Sequence, residues 1–212
     1  MRVTKLEHAC LRLTKSGQTL LVDPGGFTAP VEDLDDVIAV VLTHEHADHW
    51  TPAQLDRIRA ARPDVPIYGP AGVVAAAVGY DIIEISPGDA REVGAFSLRF
   101  FGGTHAVIHE SMPLVDNVGI LVDETFYYPG DSYAVPDDTD IALLAAPIGA
   151  PWLKIGDAMD FVLAVAAPQV FATHDRTLSE LGLGIGHGRL QWATEQRDGQ
   201  YHRLHPGESI EI

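Results

Sequence analysis

Thr43-His44-Glu45-His46-Ala47-Asp48-His49 places four potential metal ligands, three imidazoles and the Asp48 carboxylate, within six residues, directly behind the apolar run Val37-Ile38-Ala39-Val40-Val41-Leu42. A β-branched run of that length predicts a buried strand. The polar cluster therefore begins where a rigid strand gives way to a loop, a frequent position for catalytic residues. His44 and His46 stand two apart, and on an extended backbone alternate side chains point to the same side. Asp48 and His49 follow in a turn and reach a second point close by. Neutral imidazoles with one hard carboxylate suit zinc or a similar divalent ion. The competing reading is a solvated His-rich loop, which would require no complementary residues elsewhere in the chain.

Complementary residues are present. His105 follows the strand-like Phe96-Ser97-Leu98-Arg99-Phe100, Asp131 follows the aromatic Tyr127-Tyr128, and His174 closes the apolar Val170-Phe171-Ala172. Taken alone, Asp131 reads equally well as a helix cap or turn residue, and His174 as a core histidine. All three end a strand and enter a loop, which predicts convergence at one edge of a sheet.

In this order the residues resemble the metallo-β-lactamase fold superfamily, and the resemblance runs over nearly the whole chain. It implies an α/β fold, a four-layer αββα sandwich, and a site built from His44, His46, Asp48, His49, His105, Asp131 and His174. In that pattern His44, His46 and His105 hold one metal and Asp48, His49 and His174 a second. Asp131 bridges the two with one carboxylate oxygen each. Asp23, in Leu21-Val22-Asp23-Pro24-Gly25, corresponds to a supporting residue at an early strand end. Gly130-Asp131-Ser132 and Glu7-His8-Ala9-Cys10 are most similar to the branch that contains ascorbate-6-phosphate lactonase, which puts His8 near the metals in a supporting role. The implied cofactor is a pair of divalent ions, Zn2+ first, with Mn2+ or Fe2+ as alternatives. Such a pair shares a hydroxide that serves as nucleophile, so Asp48 and Asp131 are the catalytic carboxylates and no protein nucleophile is needed. Ser111, Ser132 and Ser179 accordingly lie outside any Gly-x-Ser-x-Gly elbow. A His-Glu-x-x-His metalloprotease helix fails because position 48 is Asp.

Around these residues stand further candidates. His109, four residues beyond His105, is a candidate proton donor to a leaving group. Arg176 and Lys154 are candidates for binding a substrate anion, and Asp175 for orienting His174. His187, in Gly184-Ile185-Gly186-His187-Gly188, reads as a loop residue able to approach the site, and His202 and His205 as solvated edge-strand residues.

Periodicity predicts antiparallel strands within 2–14 and 19–23, a helix over 53–59 capped by Thr51 with Pro52 in its first turn, a strand at 65–68, and a helix over 71–78 ended by Gly79. Strands follow at 81–85, 95–101, 117–122 and 125–128, the last two joined at Asp123-Glu124. A strand at 141–144, a helix over 157–165, a strand at 169–172, a helix around 189–196 and an end strand at 208–211 complete the chain. No linker, repeat or low-complexity tract divides residues 1–212, which are expected to form one domain.

With 46% hydrophobic and 21% charged residues the chain can bury a sizeable core. No segment approaches the ~20 apolar residues that span a bilayer, the N-terminus has no secretory pattern, and the single Cys10 excludes an internal disulfide. These features predict a cytoplasmic protein without a membrane partner; self-association as a homo-oligomer is left open. Thirty acidic against fourteen basic residues give a net charge of -16 with no basic run. Nucleic-acid binders carry a clustered Lys/Arg footprint, so no nucleic-acid partner is expected, although bound metals would reverse part of the field locally. The expected activity is metal-dependent hydrolysis of a small ester-like, lactone or phosphoester substrate. The alternatives are a phosphodiesterase or nuclease, a di-iron redox domain, and a non-catalytic binding domain on the same fold. Flavodiiron proteins of this fold carry a Glu where this chain has His46, and depend on a flavin-bearing domain for which the chain has no room.

Overall fold

The computed structural model describes residues 1–212. In chain order its strands are β1 (Arg2–Lys5), β2 (Leu11–Lys15), β3 (Gln18–Val22), β4 (Val37–Val41), β5 (Ile67–Gly69), β6 (Ile82–Glu84), β7 (Ala90–Val93), β8 (Phe96–Thr104), β9 (Asp116–Val122), β10 (Phe126–Tyr128), β11 (Leu143–Pro147), β12 (Gln169–Thr173), β13 (Gln200–His202) and β14 (Ser209–Glu211). The helices are α1 (Pro52–Ala61), α2 (Ala71–Ala76), α3 (Ile155–Val165) and α4 (Glu180–Glu195). The strands form two seven-stranded mixed sheets, ordered β14-β1-β2-β3-β4-β5-β6 and β13-β12-β11-β10-β9-β8-β7.

Alternation along the strands sorts the side chains into three apolar layers. Leu20 and Val22 of β3 and Ala39 and Val41 of β4 meet Phe96, Leu98, Phe100 and Phe171 between the sheets. Leu21 and Val40, one residue out of phase, face outward and pack with Leu55 and Ile58 of α1 and Val73 of α2. On the far side Leu144, Val170 and Ala172 pack with Phe161 and Val162 of α3 and Leu190 and Ala193 of α4. A period of two on a strand buried on both faces produces this division, and the result is the expected αββα order. Cys10 lies in the first outer layer, fully buried, as a small hydrophobe.

The strand pairings set one polarity for the site. β4 runs parallel to β3, and β10, β11 and β12 run parallel to one another. Two successive antiparallel pairings bring β1 into line with β3, and two more bring β8 into line with β10. The C-terminal ends of β1, β3, β4, β8, β10, β11 and β12 therefore all carry loops to one end of the sandwich.

Helix α1 begins as expected, with the Thr51 hydroxyl accepting the Gln54 N–H and Pro52 in the first turn. Asp123 and Glu124 both have positive φ, 52° and 55°, in the tight turn from β9 to β10. Several boundaries differ from the sequence expectation. β7 has no counterpart among the strands that periodicity predicts. β8 extends through Gly102 and Gly103, which take φ of 85° and 118° and continue pairing with β9. The strand expected at 141–144 occupies Leu143–Pro147. α4 starts nine residues earlier than expected, since its first half contains Gly182, Gly184, Gly186 and Gly188, and glycine costs a helix about 1 kcal/mol each relative to alanine. Gly186 has a packing reason, because a Cβ there would stand 2.7 Å from Ile148 Cγ1. His187 consequently lies on α4. His202 is half-buried on edge strand β13, and His205 sits in the turn that follows. No helix is long and apolar enough to cross a membrane.

Candidate metal centre

All seven residues expected to bind metal come together at the shared strand ends. The ligand atoms of His44, His46 and His105 lie within 4.8 Å of one another, as do those of Asp48, His49 and His174; a third group joins His44, His49 and Asp131. His44, His49, His105, Asp131 and His174 are buried, His46 and Asp48 partly so.

Three of the five imidazoles are oriented by their other nitrogen. His49 Nδ1 is 2.7 Å from Asp23 Oδ2, His105 Nδ1 is 2.5 Å from the Ala106 carbonyl, and His174 Nδ1 is 2.6 Å from the Gly149 carbonyl. Acceptors at these positions keep the proton on Nδ1 and leave Nε2 as a lone-pair donor. His49 Nε2, His105 Nε2 and His174 Nε2 are buried without a hydrogen-bond partner, and so is Asp131 Oδ1. His44 Nε2 and His46 Nδ1 face each other at 3.0 Å. Unpartnered buried nitrogens are costly, and lone pairs that converge on one small volume are the arrangement a divalent cation satisfies. The residues present fit the metal the fold implies.

Asp131 occupies the middle. Its Oδ2 is 3.3 Å from His105 Nε2 and 3.2 Å from His174 Nε2, while Oδ1 is 3.2 Å from His49 Nε2. The same oxygen thus faces ligand atoms of both groups, which differs from the expected division of one oxygen to each metal. The indole N–H of Trp152 donates to this Oδ2 at 2.9 Å. Burial alone would raise the Asp131 carboxyl, but His49 and His174 hold it well below the usual range. Burial likewise opposes charge on His49 and His174, yet Asp131 raises both, His174 to about 9. His44 goes the other way, pushed well down by burial and by His49.

The supporting residues are equally well placed. Asp23 accepts the Thr43 N–H and hydroxyl at 2.8 and 2.7 Å and the Tyr128 hydroxyl at 3.1 Å, besides orienting His49. Its loop passes so close to the metal-binding turn that a Cβ on Gly25 would stand 1.7 Å from the Asp48 carbonyl oxygen. His8 is fully buried, with Nε2 3.2 Å from Asp48 Oδ2. Distance alone would admit it as a metal ligand. However, its Nδ1 accepts the Arg176 N–H at 3.3 Å, so the ring proton sits on Nε2 and is donated to Asp48. His8, Asp23 and His174 all adopt left-handed backbone, with φ of 58°, 46° and 59°, strain of the kind that collects at functional sites.

Other expectations fare differently. His109 lines a small pocket with His46 and His105 and is exposed. Arg176 is exposed, and its guanidinium has no carboxylate partner. Asp175 does not orient His174: its Oδ2 is 2.7 Å from the buried Lys5 ammonium, and the Gly149 carbonyl does the orienting. Lys154 is joined to none of the seven; it is 79% exposed and paired with Asp157 at 3.2 Å. His187 is bonded to the Tyr201 hydroxyl at 2.7 Å on α4, away from the cluster. The sequence reading missed Trp152, Thr43 and Tyr128. Trp152 lies in the loop after β11, another strand ending at the same edge, and that placement was the available signal.

The family model described as beta-lactamase superfamily domain matches residues 2–174, a span that takes in all seven residues. Protein Rv0786c of Mycobacterium tuberculosis is 34% identical over 196 residues, covering 90% of this chain and 91% of its own. A UPF0173 metal-dependent hydrolase of Thermoplasma volcanium is 25% identical over 186 residues, covering 80% and 81%. Among solved structures, the metallo hydrolase Igni18 of Ignicoccus hospitalis superposes with a TM-score of 0.74 at 17% identity, covering 99% of this chain and 97% of its own. The diiron β-hydroxylase CmlA of Streptomyces venezuelae gives 0.77 at 15% identity and covers all of this chain but 54% of its own. At these identities the two structures speak for the fold alone.

Proposed function

This chain belongs to the beta-lactamase superfamily and is a metal-dependent hydrolase of that fold, and we propose that it works with two divalent ions, Zn2+ in the first instance, on a small ester-like, lactone or phosphoester substrate. The observation that carries the proposal is the set of orphaned nitrogens of His49, His105 and His174, drawn from both ligand groups, around the Asp131 carboxylate. Seven protein ligands exceed what one tetrahedral zinc accepts. Bound divalent ions would lower the pKa of water towards neutrality and stabilise negative charge that develops on the substrate.

The chain's own residues supply orientation and proton transfer. Asp131, fixed by the Trp152 N–H, holds the two groups in register. His8 donates to Asp48 and sets that carboxylate's orientation. His109 Nδ1 accepts the Ser111 N–H at 3.2 Å, which leaves its proton on Nε2 as a donor for a leaving oxygen. Arg176 offers an unpaired cation on the far side, beside Phe27, whose ring meets His8 at 4.9 Å. Exposed Val107, Met112 and Leu114 flank His109 in the same small pocket as His46 and His105. An apolar rim with one free cation suits a small substrate bearing at most one anionic group, and a chain at -16 repels a polyanion.

The test is a hydrolysis screen on metal-replete protein with lactones, esters, thioesters, phosphodiesters and sugar phosphates, run beside single-stranded RNA and DNA across ionic strength. Turnover on a small substrate with little salt dependence is expected. Efficient polynucleotide cleavage with a steep loss of affinity on adding salt would replace the small-molecule reading by the nuclease one. Saturation with iron and no hydrolysis of any substrate would favour the redox alternative.

A further inference from the structure

Beside the metal centre, but lined by none of its seven residues, a cleft of about 630 Å3 opens between α4 and the turn that joins β13 to β14. Its nitrogen-bearing side chains are Arg176, Arg203, His187 and His205, and its apolar wall is formed chiefly by Leu183 and Leu204. Neither guanidinium is paired with a carboxylate; Arg203 donates only to the Gln191 side-chain oxygen, at 3.1 Å. Of the two acidic residues in the lining, Asp175 is neutralised by the buried Lys5 ammonium 2.7 Å away, which leaves Glu180 as the single opposing charge.

His187 adds a polar ring anchored at one nitrogen. Burial raises the Tyr201 phenol above its ordinary range, so it keeps its proton, and its hydroxyl is hydrogen-bonded to His187 Nδ1 at 2.7 Å. Burial, and after it Arg203, lowers the His187 pKa, so the ring is neutral. The groups that act on it from other elements are Asp175, Lys5 and His205. Two free guanidiniums against one carboxylate leave a single positive charge, with imidazole rings and leucine side chains around it. Guanidinium is the group suited to planar carboxylates and to phosphates.

We propose that this cleft binds a small organic anion, a carboxylate or a phosphate monoester with an apolar body, at a site separate from the metal centre. The separation has a structural basis. His174 turns its side chain to Asp131, Asp48 and Gly149, whereas Asp175, the next residue and part of the cleft wall, turns to the buried Lys5. Arg176 lines both this cleft and the surface beside Phe27 that a substrate anion would use, so its guanidinium is shared, whereas Arg203 and His187 belong to this cleft; the proposal does not depend on which bond the enzyme hydrolyses.

Isothermal titration calorimetry on the metal-replete protein with benzoate and with phenyl phosphate tests it, with benzyl alcohol as the neutral control. Saturable binding of one or both anions is expected, and the preferred one identifies the head group; benzyl alcohol should not bind. Arg203→Gln, an exposed change, should weaken the anion at least tenfold while metal content and circular dichroism stay as in the wild type. His187→Gln should weaken it severalfold. Binding that is equal in wild type and both variants, that is lost on chelating the metals, or that is absent for both anions would overturn the proposal.

Discussion

On the side of the first sheet, four of the seven residues leave a single strand end within six positions, whereas on the second sheet β8, β10 and β12 supply one each. The first group is shaped locally. Its geometry depends on a turn, on the Asp23 and Thr43 hydrogen bonds beneath it, and on the close passage of Gly25. The second group is shaped by tertiary structure. His105 and His174 take their orientation from backbone carbonyls, and Asp131 from Trp152, itself carried by the loop after β11. Each proposed metal has ligands from both sheets, so the centre ties the two halves of the sandwich together at one end. Damage to the first group should thus disturb several ligands together, while damage to the second should act one residue at a time.

The largest effect belongs to Asp131, which stands between the two sets of metal ligands. Asp131→Ala should lower turnover by about 10³-fold or more, roughly 4 kcal/mol of transition-state stabilisation, on whichever substrate the screen identifies. Its circular dichroism should be unchanged, because a strand-end carboxylate contributes little to the core. A folded variant with near wild-type turnover would remove Asp131 from the centre.

Gly25→Ala probes the locally shaped group. The new methyl must displace the Asp48 carbonyl, and overpacking of this kind costs about 1–3 kcal/mol. Thermal denaturation should show that loss, and elemental analysis should show metal missing from the Asp48–His49–His174 group. A variant with wild-type melting temperature and metal content would mean that the turn tolerates displacement.

Trp152→Phe is the matching change on the second sheet. It keeps an aromatic ring in place and deletes one N–H. Loss of a hydrogen bond to a ligating carboxylate is worth about 10–100-fold in metal affinity or activity, with the melting temperature almost unmoved. If competition with a chelator finds unchanged metal affinity and turnover is also unchanged, the indole is only packing.

Lys154→Ala should do least. The ammonium is exposed and paired within its own helix turn, and such pairs contribute about 0–1 kcal/mol. A rise in KM above twofold would return Lys154 to the substrate site.

The same contrast explains what the amino-acid sequence disclosed. The locally shaped group is contiguous in the chain, so the strand and the four residues behind it could be read together. His105, Asp131 and His174 are each ambiguous alone, and became legible through their shared position after apolar runs. Three things were hidden. The first half of α4 reads as a loop because four glycines obscure its period, and with it went the position of His187. Trp152 carries no local mark of its bond to a residue 21 positions away. The direction of Asp175, towards Lys5 and not His174, depends on β1 lying against the loop after β12, a tertiary fact that no local pattern encodes. Lys154 was overvalued for the same reason, since proximity in sequence to the strand end at Pro147 does not decide where a side chain on a helix cap points.

The central claim is that both sheets together build two metal positions, and metal stoichiometry tests it most directly. Metal-free protein titrated with Zn2+ and desalted should saturate near two equivalents per chain by elemental analysis, while His49→Ala should saturate near one. Saturation of the wild type near one, with His49→Ala unchanged, would contradict the account.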